Sequence, residues 1–119
     1  MISTHVLDTS LGHPAQGIPV ELAIFEGKQE DTKKAESETR HWRVIQSDVT
    51  NDDGRISFNC DAAAGTYRLK FKVEDYFKQQ QLQAFFVVVP VVFSISDTSR
   101  RYHVPLLLNP FGYNTYRGS

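Results

Sequence analysis

The chain contains 119 residues, a length typical of one domain with a single core. Its 13 Lys and Arg residues nearly balance its 14 Asp and Glu residues, so the formal net charge is -1. This balance gives no electrostatic drive toward nucleic acid or an acidic membrane surface. A single cysteine, Cys60, excludes an intramolecular disulfide bond and a cysteine-rich zinc site. We therefore expect one domain over residues 1–119, with neither nucleic acid nor membrane among its partners.

No targeting signal is visible in the sequence. The N-terminus lacks a basic segment followed by an apolar one, and the final Arg117–Ser119 differs from the Ser-Lys-Leu peroxisomal signal. The longest apolar run, Ala84–Phe93, is shorter than the roughly 18 residues of a transmembrane helix and contains Pro90. These features predict a cytoplasmic protein, with the peroxisome as the alternative.

Alternation of apolar and polar residues predicts strands in the first half of the chain. The segment Ile18–Phe25 alternates in this way, which is typical of a half-buried strand. The segment Glu26–Arg40 is almost entirely polar or charged, so we interpret residues 26–40 as an exposed loop insertion. The turn signal Asp52–Gly54 then precedes a further alternating pair, Ile56 and Phe58.

The second half continues the alternation and contains one predicted helix. Tyr67–Val73 and Tyr102–Leu108 each predict a strand, and Phe85–Ile95 predicts a long strand whose odd-numbered residues face the core. Asp75–Leu82 predicts a short helix with Asp75 as its N-cap. Together these elements predict an all-β fold, an antiparallel β-sandwich of two sheets with one short helix.

Two predicted strands carry apolar residues on both faces. Opposite its core-facing residues, the strand at Phe85–Ile95 has Pro90 among valines, and the next strand has Pro105 and Leu107 beside His103. Because proline cannot donate to a ladder, Pro90 and Pro105 predict that these strands lie near an edge or bulge. The helix or a loop is one candidate cover for this surface, and a second copy of the chain is the other. We favour self-association, because monomers rarely expose contiguous apolar patches.

Polar residues that interrupt apolar strands are the candidate functional residues. The sequence lacks a Gly-x-Ser-x-Gly elbow, a glycine-rich phosphate loop and close histidine pairs with metal-ligand spacing. His5 and His103 lie within strand-like segments, Arg55 follows the Asp-Gly turn, and residues 113–119 end the chain with two tyrosines and an arginine. Each also has a simpler interpretation: ordinary strand histidines, a solvated arginine and a frayed terminus. Pattern alone does not choose between these alternatives.

Three motifs resemble the transthyretin-like 5-hydroxyisourate hydrolases of purine catabolism. The first is ISTHVLDTSLG (Ile2–Gly12), followed by Pro14, Ala15 and Gly17; the second is TNDDGR (Thr50–Arg55); the third combines YHVPLLL (Tyr102–Leu108) with the terminal YRGS (Tyr116–Ser119). The resemblance covers nearly the whole chain, with the motifs in the family's order. Two departures are the length of the polar stretch 26–40 and the asparagines Asn109 and Asn114, where serine is more familiar.

The resemblance implies the transthyretin-like sandwich fold and a homotetramer, a dimer of dimers with active sites at the dimer–dimer interface. It implies a hydrolase that opens the ring of 5-hydroxyisourate with water, without a metal or organic cofactor. His5, Arg55, His103 and Ser119 would be catalytic. Substrate would be bound by His5 and Arg55 together with Tyr116 and Arg117. In this scheme the histidines orient and deprotonate the water, while Arg55 binds oxygens of the substrate.

Two other functions compete with hydrolysis. A non-enzymatic transthyretin-like carrier of a small hydrophobic ligand predicts an apolar channel, and it does not account for the Tyr116–Ser119 ending. An immunoglobulin-like structural or adhesion module favours secretion signals and disulfide bonds, which this sequence lacks. We therefore expect the hydrolase, with the carrier as the alternative.

Overall fold

A computed structural model describes residues 1–27 and 41–118 of the chain. These residues form nine strands and one helix: β1 Ile2–Asp8, β2 His13–Pro14, β3 Pro19–Phe25, β4 Trp42–Val49, β5 Arg55–Phe58, β6 Gly65–Lys72, α1 Glu74–Lys78, β7 Val88–Ile95, β8 Tyr102–Asn109 and β9 Gly112–Thr115. Residues 28–40 of the expected loop insertion, and Ser119, lie outside the described residues.

The strands form two sheets packed face to face, as the sequence predicts. The first sheet has the order β2-β1-β8-β9, with β5 also paired to β1, and the second has the order β4-β3-β6-β7. All strand pairs are antiparallel except β1 with β8, which is parallel. Parallel neighbours need a long connection rather than a hairpin. Here the chain between β1 and β8, which includes the whole second sheet, provides it.

The core lies between the sheets and follows the predicted alternation in most strands. In β6, Tyr67, Leu69 and Phe71 are buried, and in β8 Leu106 and Leu108 are buried. The remaining large contributors lie on an inward-facing strand surface, on α1 or directly before β3 or α1: Ile2, Val6, Ile18, Val20, Leu22, Ile56, Phe58, Val73, Phe77, Val89, Ile95, Tyr102 and Val104. The inward faces are therefore occupied mainly by apolar packing residues, with Thr4 and Asp8 as buried polar residues on β1.

The helix is shorter than predicted and has a different first residue. It spans Glu74–Lys78, and Val73 occupies the N-cap position without a side-chain hydrogen bond. The prediction of Asp75 as N-cap was wrong; Asp75 lies in the first turn, where an acidic side chain interacts favourably with the helix dipole. The helix ends early because Gln81 adopts a positive φ of 60°, and Leu82 N–H donates to the Phe77 carbonyl oxygen at 3.0 Å.

The strand predicted at Phe85–Ile95 begins three residues later, at Val88. Phe85 and Val87 were predicted to face the core, yet they are 71% and 55% exposed. Their backbones bond elsewhere: Phe85 N–H donates to the Pro110 carbonyl oxygen at 2.8 Å, and the Val87 carbonyl oxygen accepts from Val73 and Glu74 at the start of α1. This segment therefore links the helix to the β8–β9 turn instead of extending β7.

The two prolines occupy different positions in the sheets. Pro90 lies on β7, an edge strand of the second sheet, as predicted. Pro105 lies on β8, which has β1 on one side and β9 on the other, at a position without a partner in the β8–β9 pairing. The β8–β9 pairing ends at Leu106 and Thr115, and the Thr115 hydroxyl donates to the Pro105 carbonyl oxygen at 2.7 Å. Pro105 is tolerated because it stands just beyond the end of that ladder.

None of the helical segments in the described ranges has the length and apolar character needed to cross a membrane.

Candidate active site

The register of the first sheet brings the candidate residues together on its outer face. In β1, His5 pairs with Arg55 of β5 on one side and with Pro105 of β8 on the other. Two residues earlier, Ser3 pairs with Ser57 and with His103 in the same way. Because side chains at paired positions point to the same face, these two rows form one continuous surface. We call this surface the outer face of the first sheet.

His103 is held by a serine on the neighbouring strand. The Ser3 Oγ lies 2.8 Å from His103 Nδ1, a hydrogen-bond distance. Burial lowers the pKa of His103, the positive charges of Arg55 and His5 lower it further, and hydrogen bonding to the Ser3 backbone opposes them. The neutral imidazole, which is able to accept a proton, is thus favoured near neutral pH.

His5 is in a comparable environment on β1. Burial lowers its pKa, and the adjacent Arg55 guanidinium lowers it further, while hydrogen bonding to the Asp53 backbone and the charge of Asp53 act in the opposite direction. His5 and His103 are both half-buried, whereas Arg55 is exposed. The site therefore combines two imidazoles inclined to be neutral with a solvent-accessible guanidinium.

The turn before β5 sets the position of Arg55. The Asn51 Oδ1 accepts hydrogen bonds from the backbone N–H groups of Asp53 and Arg55, each at 2.9 Å. Gly54 has a φ of +72°, and a Cβ atom at this residue would lie 2.5 Å from the Val6 carbonyl oxygen. A side chain is excluded there by both conformation and space. The Asp-Gly-Arg sequence thus folds tightly against β1 and places Arg55 beside His5.

The Arg55 and His103 side chains border a cavity of about 330 Å³, and His5 is not among the residues that line it. Its lining residues come from β1, β5 and the start of β8: Ser3, Thr4, Arg55, Ile56, Ser57, Arg101 and His103. Two guanidinium groups beside an imidazole suit an anionic, oxygen-rich ligand. A larger cavity of about 530 Å³ lies beside α1. Among its described lining residues, the ionisable ones are His13, Asp52 and Tyr76, and none is an arginine or a lysine. The smaller cavity therefore has the chemistry of a reaction site.

The end of the chain packs against His103. Gly118 N–H donates to the His103 carbonyl oxygen at 2.8 Å, and the two residues form an isolated antiparallel bridge. Tyr116 and Arg117 border a second, mostly apolar cavity of about 220 Å³ that also reaches His103. The Arg117 guanidinium carbon lies 4.9 Å from the centre of the Tyr102 ring. The tail thus adjoins the histidine, and Arg117 borders the second cavity and not the one that contains Arg55.

Comparisons with known proteins identify the family. The sequence model described as the HIUase/Transthyretin family matches residues 2–118. The chain belongs to this family. It is 42% identical to 5-hydroxyisourate hydrolase 2 of Rhizobium meliloti over 99% of this chain and 95% of that protein. The family predicted from the three sequence motifs is therefore confirmed.

Solved structures of the HIUase/Transthyretin family have the same fold. The structure of Klebsiella pneumoniae 5-hydroxyisourate hydrolase superposes with a TM-score of 0.77 at 32% identity, covering 99% of this chain and 98% of that one. Sea bream transthyretin in complex with thyroxine gives a TM-score of 0.80 at 27% identity, covering 98% of this chain and 93% of that one. The predicted transthyretin-like sandwich is confirmed.

In this member of the HIUase/Transthyretin family, the structure brings together His5, Arg55 and His103. It places Tyr116 and Arg117 beside His103 but on the second cavity, and Ser119 lies outside the described residues. Sequence reasoning missed Ser3 and Ser57. In the structure Ser3 lies two residues before His5 on β1 and so shares its face, but its contact with His103 depends on the parallel β1–β8 register, for which the sequence has no local signal.

Metal binding has no candidate cluster in the part of the chain that the structure describes. No group of three or more His, Cys, Asp or Glu side chains there is close enough to hold a metal ion. The expectation that the reaction needs no metal or organic cofactor stays a prediction.

Proposed function

We propose that this protein is an enzyme of urate catabolism that hydrolyses 5-hydroxyisourate, opening its ring to give 2-oxo-4-hydroxy-4-carboxy-5-ureidoimidazoline. Relatives carrying the name 5-hydroxyisourate hydrolase match nearly its whole length at 42% and 40% identity. The observation that carries the proposal is the convergence of His5, His103 and Arg55 on the outer face of the first sheet, where Arg55 and His103 border one cavity and His5 pairs with Arg55. These residues lie far apart in sequence and adjoin only through strand register.

Hydrolysis begins with removal of a proton from water. A neutral imidazole of His103 or His5 accepts this proton as the water oxygen attacks a ring carbonyl carbon. Lowered pKa values keep both imidazoles available for this role at neutral pH. The step forms a C–O bond and converts the carbonyl into a tetrahedral oxyanion.

Arg55 stabilises the charge that develops on that oxygen. Its guanidinium presents several N–H donors in a planar arrangement, and it lies on the strand position directly opposite His5. Charge stabilisation by a donor fixed in advance is commonly the largest catalytic contribution in acyl-transfer reactions. Arg55 would also bind anionic oxygens of the substrate before attack.

Ring opening returns the proton. When the tetrahedral intermediate collapses, the ring C–N bond breaks and the protonated histidine donates its proton to the leaving nitrogen. One water is consumed, and the carbonyl carbon becomes that of a carboxylic acid, which releases its proton at neutral pH to give the carboxylate. Tyr116, Arg117 and Ser119 of the tail would contact the substrate beside His103. Bridging between Gly118 and His103 supports a role for this segment.

We further propose that the active unit is a homotetramer, a dimer of dimers with its sites at the dimer–dimer interface. Two edge strands, β7 and β9, leave backbone groups available for pairing. Several large apolar side chains near these strands are exposed, including Phe85, Phe111 and Tyr113. An exposed apolar surface beside open edges favours association between copies of the chain. Sedimentation equilibrium measures the stoichiometry, and a monomer at micromolar concentration would contradict this assembly.

The test of activity is the ultraviolet absorbance of freshly generated 5-hydroxyisourate with and without the protein. We expect the protein to accelerate its decay, and H103N to abolish the acceleration while the oligomer persists. His13, an exposed histidine on β2, provides the matched control, so H13N should retain activity. Deletion of residues 116–119 should remove activity as well. If the wild-type protein leaves the decay unchanged, the transthyretin-like carrier becomes the better proposal.

The cytoplasmic location expected from the sequence also stays a proposal. It agrees with the single unpaired cysteine of the chain, Cys60, since disulfide bonds are rare in reducing compartments. Cell fractionation with an antibody against the protein tests it, and recovery with peroxisomes would support the alternative.

A further inference from the structure

Ser3 is a polar residue of the site to which the proposed mechanism gives no role. It lies on β1 with its hydroxyl between two strands, opposite Ser57 on one side and His103 on the other. We propose that Ser3 is a positioning residue that fixes the ring orientation and tautomer of His103, so that Nε2 faces the cavity as the proton acceptor. This inference rests on the proposed hydrolase function.

The first support is the geometry of the Ser3–His103 pair. The residues are direct partners in the parallel β1–β8 register, and the Ser3 Oγ lies 2.8 Å from His103 Nδ1. Serine has one side-chain torsion before its hydroxyl, and both backbones are held in a sheet interior. The hydroxyl is therefore placed with little conformational freedom, which is what a positioning contact requires.

The second support is the contact on the other edge of the imidazole. A Cβ atom at Gly118 would lie 2.6 Å from His103 Cδ2 and 3.2 Å from Cγ, so the Gly118 backbone already lies against that edge. The Ser3 hydroxyl hydrogen-bonds to Nδ1, and the Gly118 backbone contacts the Cγ–Cδ2 edge. The remaining ring atoms, Nε2 and Cε1, are the ones left to face substrate.

The third support is the chemistry of a hydroxyl partner. The nitrogen that carries the proton in a neutral imidazole is set by the hydrogen bond at the other nitrogen. When Ser3 Oγ accepts from Nδ1–H, the lone pair resides on Nε2, and the same bond persists after Nε2 is protonated. A carboxylate partner would do this too, but its negative charge would favour the imidazolium.

The charges around His103 agree with a neutral partner. Burial, Arg55 and His5 lower its pKa, and among the described residues no carboxylate contributes to the shift. Ser3 thereby orients the base without cancelling the effect of the nearby guanidinium. Removal of its hydroxyl should leave His103 in place, with Nδ1 lacking the Ser3 Oγ partner and with its ring orientation and tautomer less tightly set.

The kinetic test compares S3A, S3T and the control S47A. Ser47 is an exposed strand serine of the second sheet and does not border the cavity. We expect S3A to lower kcat by about 10- to 100-fold with little change in KM, as expected for a misplaced reacting group. The acidic limb of its pH profile should move to lower pH, because the imidazolium loses a hydrogen-bond acceptor. S3T should restore most of kcat, and S47A should resemble the wild type.

Nitrogen-15 NMR of the histidine rings supplies a readout that does not depend on turnover. We expect the Nδ1–H tautomer for His103 in the wild-type protein and a mixture of tautomers in S3A. A wild-type Nε2–H tautomer would overturn the proposal even if S3A failed to fold. An active S3A with unchanged kcat and pH profile would overturn it as well. If the wild type does not accelerate decay of 5-hydroxyisourate, the proposed function fails, and the NMR result still decides the role of Ser3.

Discussion

Gly118 and His103 form a backbone bridge that brings the end of the chain against the candidate catalytic base. The Gly118 N–H lies 2.8 Å from the His103 carbonyl oxygen, and this bridge stands beyond the end of the β8–β9 ladder. The pairing of β8 with the tail is interrupted between Thr115 and Gly118. The residue of β8 at this interruption is Pro105, which has no backbone N–H to donate. The bridge therefore re-establishes pairing at His103, beyond the position of Pro105.

A methyl group at Gly118 tests this contact. In G118A the new Cβ would lie 2.6 Å from His103 Cδ2, so either the imidazole or the tail must shift. We expect kcat to fall by about 100-fold, because displacement of a reacting group by about 1 Å has effects of that size. Gly112 is the matched control, since a Cβ there meets nothing closer than 3.8 Å. Steady-state kinetics of both variants measure the difference; equal loss of kcat in G112A would contradict a local effect.

Loss of the Arg55 guanidinium should impair the chemical step. R55Q retains some hydrogen-bonding capacity but removes the positive charge opposite His5. We expect kcat to fall by about 100- to 1000-fold, the usual cost of one oxyanion-stabilising donor. Arg43 is an exposed arginine of the second sheet, paired with Glu26 at 3.0 Å, so R43Q serves as the control. If R55Q changed only KM, Arg55 would bind substrate without stabilising the transition state.

Arg101 provides a second positive charge at the same cavity. It is exposed and lies at the cavity wall, so it should attract an anionic substrate without entering the chemistry. We expect R101Q to raise KM several-fold at low ionic strength, and the effect to shrink as salt screens the charge. Its neighbour Arg100 is exposed and does not border the cavity, so R100Q is the control. Kinetics at two salt concentrations measure this; a KM effect independent of salt would contradict long-range attraction.

Strand periodicity was sufficient to predict most of the fold. Alternation identified the buried faces of β6 and β8, and the turn signal Asp52–Gly54 located the start of β5. Alternation gave the wrong strand start at Phe85 and Val87. The apolar run continues there, but the backbone hydrogen-bonds to the β8–β9 turn and to the start of α1. A local pattern reports which residues are apolar, whereas tertiary hydrogen bonds decide where a strand begins.

The candidate site could be predicted from the sequence only in part. The motifs pointed to His5, Arg55 and His103, which the sheet brings together. The contact between Ser3 and His103 could not be inferred, because it depends on which residues of β1 and β8 are paired. Residues separated by 100 positions become neighbours through that register, and no short-range sequence feature encodes it.

Asp8 should be important for stability. Its side chain is fully buried and accepts hydrogen bonds from the Ser10 and Leu11 backbone, the Ser10 hydroxyl and the Tyr76 hydroxyl, the last at 2.7 Å. Burial alone would raise the pKa of Asp8, but these hydrogen bonds outweigh it and lower that pKa. Burial and the Asp8 carboxylate raise the pKa of Tyr76 to about 12. These hydrogen bonds connect the end of β1, at Asp8, to α1, at Tyr76.

Replacement of this carboxylate should destabilise the fold. D8N places an amide where four donors converge, and we expect the free energy of unfolding to fall by about 1.5–3 kcal/mol, the range for hydrogen bonds to a charged group. Asp61 is exposed, so D61N is the control and should change stability little. Urea denaturation measures both variants at pH 7. Equal stability of D8N and the wild type would mean that this buried network contributes nothing net.

The lowered pKa values of His5 and His103 predict how activity and stability change with pH. Both pKa values lie below 6.5, so the neutral base persists at pH 6.5, and kcat/KM should fall only at lower pH. Between the lowered pKa values of the folded protein and the ordinary histidine pKa, the unfolded chain binds more protons than the folded chain. The free energy of unfolding therefore rises with pH up to about 6.5, and stability is lost as the pH falls. Urea denaturation from pH 5 to pH 8 measures this slope, which H103N should reduce. An acidic limb of kcat/KM above pH 6.5 would contradict the lowered pKa values.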